Sequence, residues 1–256
     1  MSFDETASRR LLRAYLTPDV VRQREIVLAA LAPARGERVL DIGSGPGLMA
    51  AQLAAAVGPA GRVDGIDPSD SMLAIAREQR PADGSSPLAF TTGDALAVPF
   101  ADGEFDAVIS TQVYEYVSDI AGALAEAGRV LRPGGRIAIL DTDWDSLVWH
   151  SGDRERMQRI LTVWDEHLAD PHLPRSLPGH LARAGFVDVR TEVVPMLNVG
   201  YDRDTFSAGL LEMVADFVAG RGAVSATEAS AWADELRALA DAYFFSVNRY
   251  LFVATR

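Results

Sequence analysis

The chain of 256 residues is 48% hydrophobic and 23% charged, long enough for one large α/β domain or a core domain with a small cap, and we take the second. A formal net charge of -12 repels phosphate backbones and anionic membranes, which disfavours nucleic-acid and lipid-surface partners. There is no cysteine and all 24 basic residues are arginine, so disulfides, thiolate metal sites, thiol redox chemistry and a lysine base or Schiff-base nucleophile are excluded.

No apolar run approaches the length of a membrane span, and Met1-Ser-Phe-Asp-Glu5 lacks the basic and apolar regions of a signal peptide. The expectation is a cytoplasmic protein, monomeric or homodimeric.

In chain order, Thr17-Pro18 reads as an N-cap and N1 pair opening a helix, with Val20, Val27, Leu28 and Leu31 recurring at helical spacing. Arg24 falls on that apolar stripe, where a guanidinium either meets an anion or snorkels to the surface. Strands at 38–42, 62–67, 88–93, 105–111 and 135–141 alternate with helices at 46–57, 69–80 and 117–128, the signature of a parallel sheet. Turns are read at 59–61, 81–84, 101–103 and 133–135. A helix at 153–168 and a shorter one ending at Gly185 cover the other side of the sheet. A strand at 186–194, helices at 202–220 and 225–242, and a last strand at 243–255 complete the chain. The domains expected are a core of 1–200 with 243–256 and a helical cap of 201–242.

The segment Arg38-Val-Leu-Asp-Ile-Gly-Ser-Gly-Pro-Gly47 is a buried strand followed by a glycine turn. Gly43, Gly45 and Gly47 let the backbone pass close to a ligand, and Pro46 is expected to start the next helix. Asp67 ends the second strand, where open parallel sheets bind ligands, and can accept hydrogen bonds from both hydroxyls of a ribose. A dinucleotide fingerprint read from Gly43 would need glycine at Leu48, so a nicotinamide-linked dehydrogenase is disfavoured.

With Asp41 closing the first strand, Asp41-Ile-Gly-Ser-Gly-Pro-Gly47 resembles the first motif of the class I S-adenosylmethionine-dependent methyltransferases. Gly65-Ile-Asp-Pro-Ser-Asp-Ser-Met-Leu73 resembles the ribose-binding segment of that family, Thr92-Gly-Asp-Ala95 its adenine-binding turn, and Leu131-Arg-Pro-Gly-Gly-Arg-Ile137 the turn into its fifth strand. The resemblance spans roughly residues 10 to 190, with the motifs in family order. It implies a Rossmann-like, doubly wound, mostly parallel seven-stranded sheet with an antiparallel last strand. The implied cofactor is S-adenosyl-L-methionine, leaving as S-adenosyl-L-homocysteine. The implied donor site has Asp41 near the glycine loop, Asp67 with Pro68 at the ribose, Asp94 with Ala95 at the adenine, and Thr111 and Gln112 beside the methionine half. Arg24 would take the methionine carboxylate, Tyr15 would close over the donor or pack, and Met72 would lie on the adenine or in its helix core.

The donor's methyl is already electrophilic, so catalysis needs chiefly binding, alignment and exclusion of water. The carboxyl edge of the sheet offers Gln112 to Tyr116 and Asp141 to His150 around a small-molecule acceptor. If that acceptor is a hydroxyl, His150 is the first candidate base, with Tyr114 or Glu115 behind it. Trp144 and Trp149 either stack on a flat substrate or pack, and Phe206, Leu210 and Met213 form an apolar cap stripe. No metal is expected, since Asp141, Asp143 and Asp145 do not by themselves make a magnesium site. The reading is methyl transfer to an apolar or aromatic metabolite at oxygen, nitrogen or carbon. The rivals are a pericyclase-like or isomerase-like protein that binds the same donor, and a non-catalytic partner subunit.

Overall fold

The computed structural model describes residues 5–79 and 87–256, so the turn expected at 81–84 lies outside the described residues. Two helices, α1 (Glu5–Tyr15) and α2 (Pro18–Leu31), precede β1 (Arg38–Ile42), α3 (Leu48–Val57), β2 (Arg62–Asp67), α4 (Asp70–Glu78) and β3 (Leu88–Thr92). Next come β4 (Phe105–Thr111), α5 (Ile120–Val130), β5 (Leu131–Trp149), α6 (Arg154–Asp165) and α7 (Leu173–Arg183). The chain closes with β6 (Val187–Val199), α8 (Phe206–Val218), α9 (Ala226–Ala238) and β7 (Phe244–Thr255). The sheet order is β3-β2-β1-β4-β5-β7-β6, with only β7 running against its neighbours.

This is the expected α/β architecture, and its physical basis is double-sided burial. Val39, Leu40 and Ile42 of β1 are all sealed, as a central parallel strand between two helical layers requires. On one face α2, α3 and α4 pack through Val27, Leu31, Leu53 and Leu73; on the other α5 and α7 pack through Leu124, Val130, Leu177 and Leu181. The order reverses between β1 and β4, placing the ligand crevice at the carboxyl ends of those strands.

Several boundaries differ from expectation for local reasons. Thr17 does not cap α2 with its side chain; its hydroxyl donates to the carbonyl of Ala14 at 2.7 Å, locking α1 to α2. Pro46 is not at N1: α3 begins at Leu48 with Gly47 as N-cap at φ 79°. The helix expected from 117 starts at Ile120, where the Asp119 side chain accepts from the Gly122 N–H, and a one-turn 3-10 helix at Tyr114–Tyr116 precedes it.

The largest departure is β5, expected at 135–141 but running to Trp149. It pairs with β7 through Asp143 opposite Asn248 and again through Val148 opposite Ser246, so residues 144–147 bulge from the ladder. This distal extension packs with α6, α8 and α9 in a third core containing Trp144, Trp149, Trp164, Trp232, Leu210 and Phe245. There the Trp149 indole meets Trp232 edge to face at 5.4 Å and donates to the Tyr243 hydroxyl at 2.8 Å. Among the described residues no helix is long and apolar enough to cross a membrane.

Candidate active site

The glycine loop after β1 is held from below. Gly43 and Ser44 donate to the Ile66 carbonyl at 2.8 and 2.9 Å, and the Gly45 N–H donates to Asp67 Oδ2 at 2.9 Å. Gly43 and Gly47 are compelled by packing as well as by positive φ. A Cβ on Gly43 would lie 2.3 Å from Val113 Cγ2, and one on Gly47 would lie 2.7 Å from Phe90 Cζ. Gly45 differs: at φ 51° a Cβ would meet nothing within 4 Å, so its outer face looks into open space.

Four of the residues expected at the donor interact with one another. Asp67, at the end of β2, also accepts from Ser69 N–H at 2.8 Å, leaving each carboxylate oxygen a lone pair for a further donor; burial raises its pKa. Asp41 is sealed with its carboxyl toward the Ala50 N–H of α3, and burial together with the Asp67 charge pushes it up to about 8 against that backbone interaction. Arg24 is buried, donates from Nη1 to the Tyr15 carbonyl at 2.5 Å, and leaves Nε unpartnered. Tyr15 is half-buried, and burial pushes its hydroxyl up to about 12 within reach of Arg249, Glu115 and Asp67.

The remaining donor-side residues divide. Met72 is buried outside the three core clusters at the first turn of α4, whose N-cap Ser69 accepts from its N–H, and Pro68 is exposed beside it. Asp94 is exposed and forms a turn, Oδ1 accepting from Leu96 N–H at 2.8 Å, while Ala95 packs in the core beneath α5. Thr111 ends β4, and Gln112 follows at φ 57°, an uncommon conformation for a non-glycine residue. Its side-chain Oε1 accepts from the Thr142 hydroxyl at 2.6 Å.

The residues expected on the acceptor side are scattered. His150 is exposed and pairs by its N–H with the Phe244 carbonyl, six residues along β7 from Tyr250, the partner of Asp141. That is about 20 Å along the strand from the crevice, because β5 continues as a strand where a loop was expected. His150 instead lines a surface groove of about 630 Å³ with Trp149, Arg154, Met157 and Phe244. Tyr114 is sealed in the α5–α7 core, its hydroxyl unpartnered and its pKa raised by burial, so it faces away from the crevice layer. Trp149 and Leu210 are core, and Met213 packs against that core.

Glu115, Trp144 and Phe206 do come together. Glu115 Oε2 accepts from the Trp144 indole at 3.1 Å and from Thr142 N–H at 3.3 Å. Burial pushes this carboxyl up to about 7 despite those bonds and the nearby Arg249 charge. Asp141 holds the loop above β4, accepting from Val113 N–H at 3.0 Å, with burial and the Glu115 charge raising its pKa.

Sequence reading missed the centre of this group. Arg249 on β7 is buried, bonded to Gln23 Oε1 and, at 3.3 Å, to the Thr142 hydroxyl, with its guanidinium 4.4 Å over the Phe206 ring. The signal was present: Phe245, Val247, Leu251 and Val253 alternate on the buried face, and Arg249 interrupts them with a charge. Tyr116, expected in the segment around the acceptor, is joined there by His167, which was missed. Their rings lie 5.8 Å apart, and burial depresses His167 to about 4, so it serves as a neutral wall beside Trp144 and Trp164.

Asp143, Asp145 and His172 bring one ligand atom each within 4.8 Å of one another, a grouping not expected from the sequence. Arg175 donates to both carboxylates, at 2.9 and 2.8 Å, so a guanidinium already supplies the positive charge there.

An α/β sheet with a glycine loop at its switch point, an acid ending β2 and an antiparallel β7 defines a Rossmann-like protein of the methyltransferase type. A methyltransferase-domain family model matches residues 40–139. Demethylmenaquinone methyltransferase of Geobacillus kaustophilus is 30% identical over 205 residues, 72% of this chain and 86% of the relative. A 37.1 kDa protein in a Streptomyces fradiae transposon is 36% identical over 93% of this chain and 68% of its own length. A Synechocystis 2-phytyl-1,4-naphtoquinone methyltransferase is 42% identical over 107 residues; this match spans 45% of that relative. Among solved structures, phosphoethanolamine N-methyltransferase 2 of Haemonchus contortus has a TM-score of 0.65 at 22% identity, covering 99% of this chain and 58% of that one. The 4+2-cyclase SpnF has a TM-score of 0.61 at 26% identity, covering 92% and 80%.

The chain belongs to the class I S-adenosylmethionine-dependent methyltransferases. Its residues fit that donor: the open face of Gly45 and the spare lone pairs of Asp67 are what a nucleoside requires at this edge of the sheet.

Proposed function

We propose that this protein transfers a methyl group from S-adenosylmethionine to a small apolar or aromatic metabolite by direct displacement. The supporting observation is that Tyr15 lies within electrostatic reach of Asp67 on the donor side and of Glu115 and Arg249 on the acceptor side, so the half-sites share one wall. In this reading Asp67 holds the ribose hydroxyls, the backbone at Gly45 seats the methionine half, and Asp41 faces its ammonium. When bound, the donor supplies an electrophilic methyl on a sulfonium and leaves as a neutral thioether. The chain's own task is to align the acceptor behind that methyl and exclude water, which the aromatic side chains Tyr15, Tyr116, Trp144 and Phe206 suit. Helices α8 and α9 act as the substrate cap through the Phe206 end of α8.

The net charge of -12 supports a small molecule over a nucleic acid as acceptor. Calorimetry with S-adenosylhomocysteine tests donor binding, and transfer of labelled methyl into a panel of candidate acceptors tests the reaction. A second reading, an enzyme that uses the bound sulfonium without transferring its methyl, is favoured by the likeness to a cyclase. Turnover of an acceptor without release of S-adenosylhomocysteine would support it.

A further inference from the structure

Two buried ionisable side chains at the acceptor end exceed what alignment alone requires. Arg249 is 2% exposed and makes no ion pair among the described residues. Its Nη1 and Nε donate to the neutral oxygens of Gln23 and Thr142, and its remaining nitrogen makes no hydrogen bond among them. Asp19, which acts on it electrostatically, is already committed to the Phe206 N–H at 2.9 Å and the Asn198 amide at 3.1 Å. A buried guanidinium on which Glu115 and Asp19 act only at a distance, with no ion pair, favours an anionic ligand group.

Glu115 complements it. Oε2 is taken by Trp144 and Thr142, while Oε1 makes no hydrogen bond among the described residues. The groups facing this carboxylate are Arg249 from β7, Asp141 from β5, Tyr15 from α1 and Tyr116 from its own turn. Burial holding it near neutrality lets it carry a proton under ordinary conditions.

We infer, resting on the methyl-transfer reading above, that the acceptor is an ionisable hydroxyl on an unsaturated carbon, a phenol or enol, placed between Arg249 and Glu115. The acceptor O–H bond breaks, its proton goes to Glu115 Oε1, and the oxyanion is held by Arg249. The electron pair of that anion, at oxygen or at its conjugated carbon, forms the bond to the methyl as the sulfur–methyl bond breaks and leaves its pair on sulfur. After C-methylation the ring or α-carbon proton is lost to water; after O-methylation only the Glu115 proton remains to be released. A neutral hydroxyl that passes its proton to Glu115 leaves the net charge of the cluster unchanged. An ammonium acceptor would meet the Arg249 charge, and a carboxylate would arrive as a second anion beside Glu115 with no proton to give.

The probe is 4-nitrophenol, whose phenol and phenolate absorb differently, added to the complex with S-adenosylhomocysteine. At mildly acid pH the wild type is expected to shift the bound probe toward phenolate by about tenfold, one pKa unit. Arg249→Lys keeps most of the shift and Arg249→Met returns the probe to its bulk ratio. Binding is expected to release almost no proton in the wild type and a fraction of a proton, at most about half, per probe in Glu115→Gln, where no carboxylate can take it up. A wild type that binds S-adenosylhomocysteine but leaves the probe at its bulk ratio overturns this inference alone. One that binds no S-adenosylhomocysteine overturns the methyl-transfer reading itself.

Discussion

Gly45→Ala separates donor binding from folding. The backbone there is left-handed at φ 51°, so an L side chain costs about 1–2 kcal/mol, offset by about 0.4–1 kcal/mol from the stiffer unfolded chain. No neighbour lies within 4 Å of the new methyl, so no packing cost is added. The net loss of about 1 kcal/mol lowers Tm by about 2–4 °C in a chain of this size. The same methyl stands where the donor must approach the main chain, and the affinity for S-adenosylhomocysteine is expected to fall at least tenfold, about 1.4 kcal/mol. Gly47→Ala is the contrast, because its methyl would lie 2.7 Å from Phe90 Cζ and 2.9 Å from Ala76 Cβ. That variant loses several kcal/mol of stability through overpacking in addition to the backbone strain. Calorimetric titration and thermal melts on both variants decide the matter. Gly45→Ala binding within twofold of the wild type, or melting as low as Gly47→Ala, would refute the reasoning.

Asp67→Asn replaces a carboxylate that accepts from both Gly45 and Ser69; an amide can accept from only one, so we expect a loss of about 1–3 kcal/mol in donor affinity, read by the same titration. Burial pushes Asp41 up to about 8 from the ordinary 3.8, so its neutral form stabilises the donor-free protein fully below the lower value. That stability is lost as pH rises through the upper one. Melts of the donor-free wild type should fall across this window relative to Asp41→Asn, and parallel curves would contradict the assignment. His150→Ala, about 20 Å along the strand from the crevice, should leave the rate of methyl transfer within twofold of the wild type. Leu210→Ala removes a sealed side chain from the distal core and should cost about 2–5 kcal/mol in denaturant melts without a specific loss of donor affinity.

The donor half was legible because its determinants are local. The glycines and the two acids that flank them sit within thirty residues, on strands whose apolar runs mark them as central. The acceptor half depends on register between distant strands. The Pro133-Gly134-Gly135 turn reads as the start of β5, but nothing nearby fixes its end; pairing with β7 carries it to Trp149 and moves His150 out of the site. Trp144 stayed in the site because the bulge at 144–147 returns it toward Glu115, its indole bonded there and its N–H held by the Pro171 carbonyl. Leu210 and Met213 were read as part of an apolar cap stripe near the substrate because an amphipathic stripe does not reveal what it packs against, and their partners on α6, α9 and the distal strands lie far away in sequence. Arg249 carried a sequence signal in the broken alternation of β7, although the identity of its neighbours required the fold.

The placement of β7 between β5 and β6 has a consequence for biogenesis. While the ribosome is still making α9, β6 has no ladder to join and β5 presents an open border, so the nascent chain holds two unpaired strand edges side by side. The insertion that closes them is a late, long-range event of the slow kind, and it also delivers the arginine of the acceptor pocket. A donor-binding half can therefore assemble on an emerging chain before there is anywhere to seat a second substrate, and chaperone demand should peak in that interval.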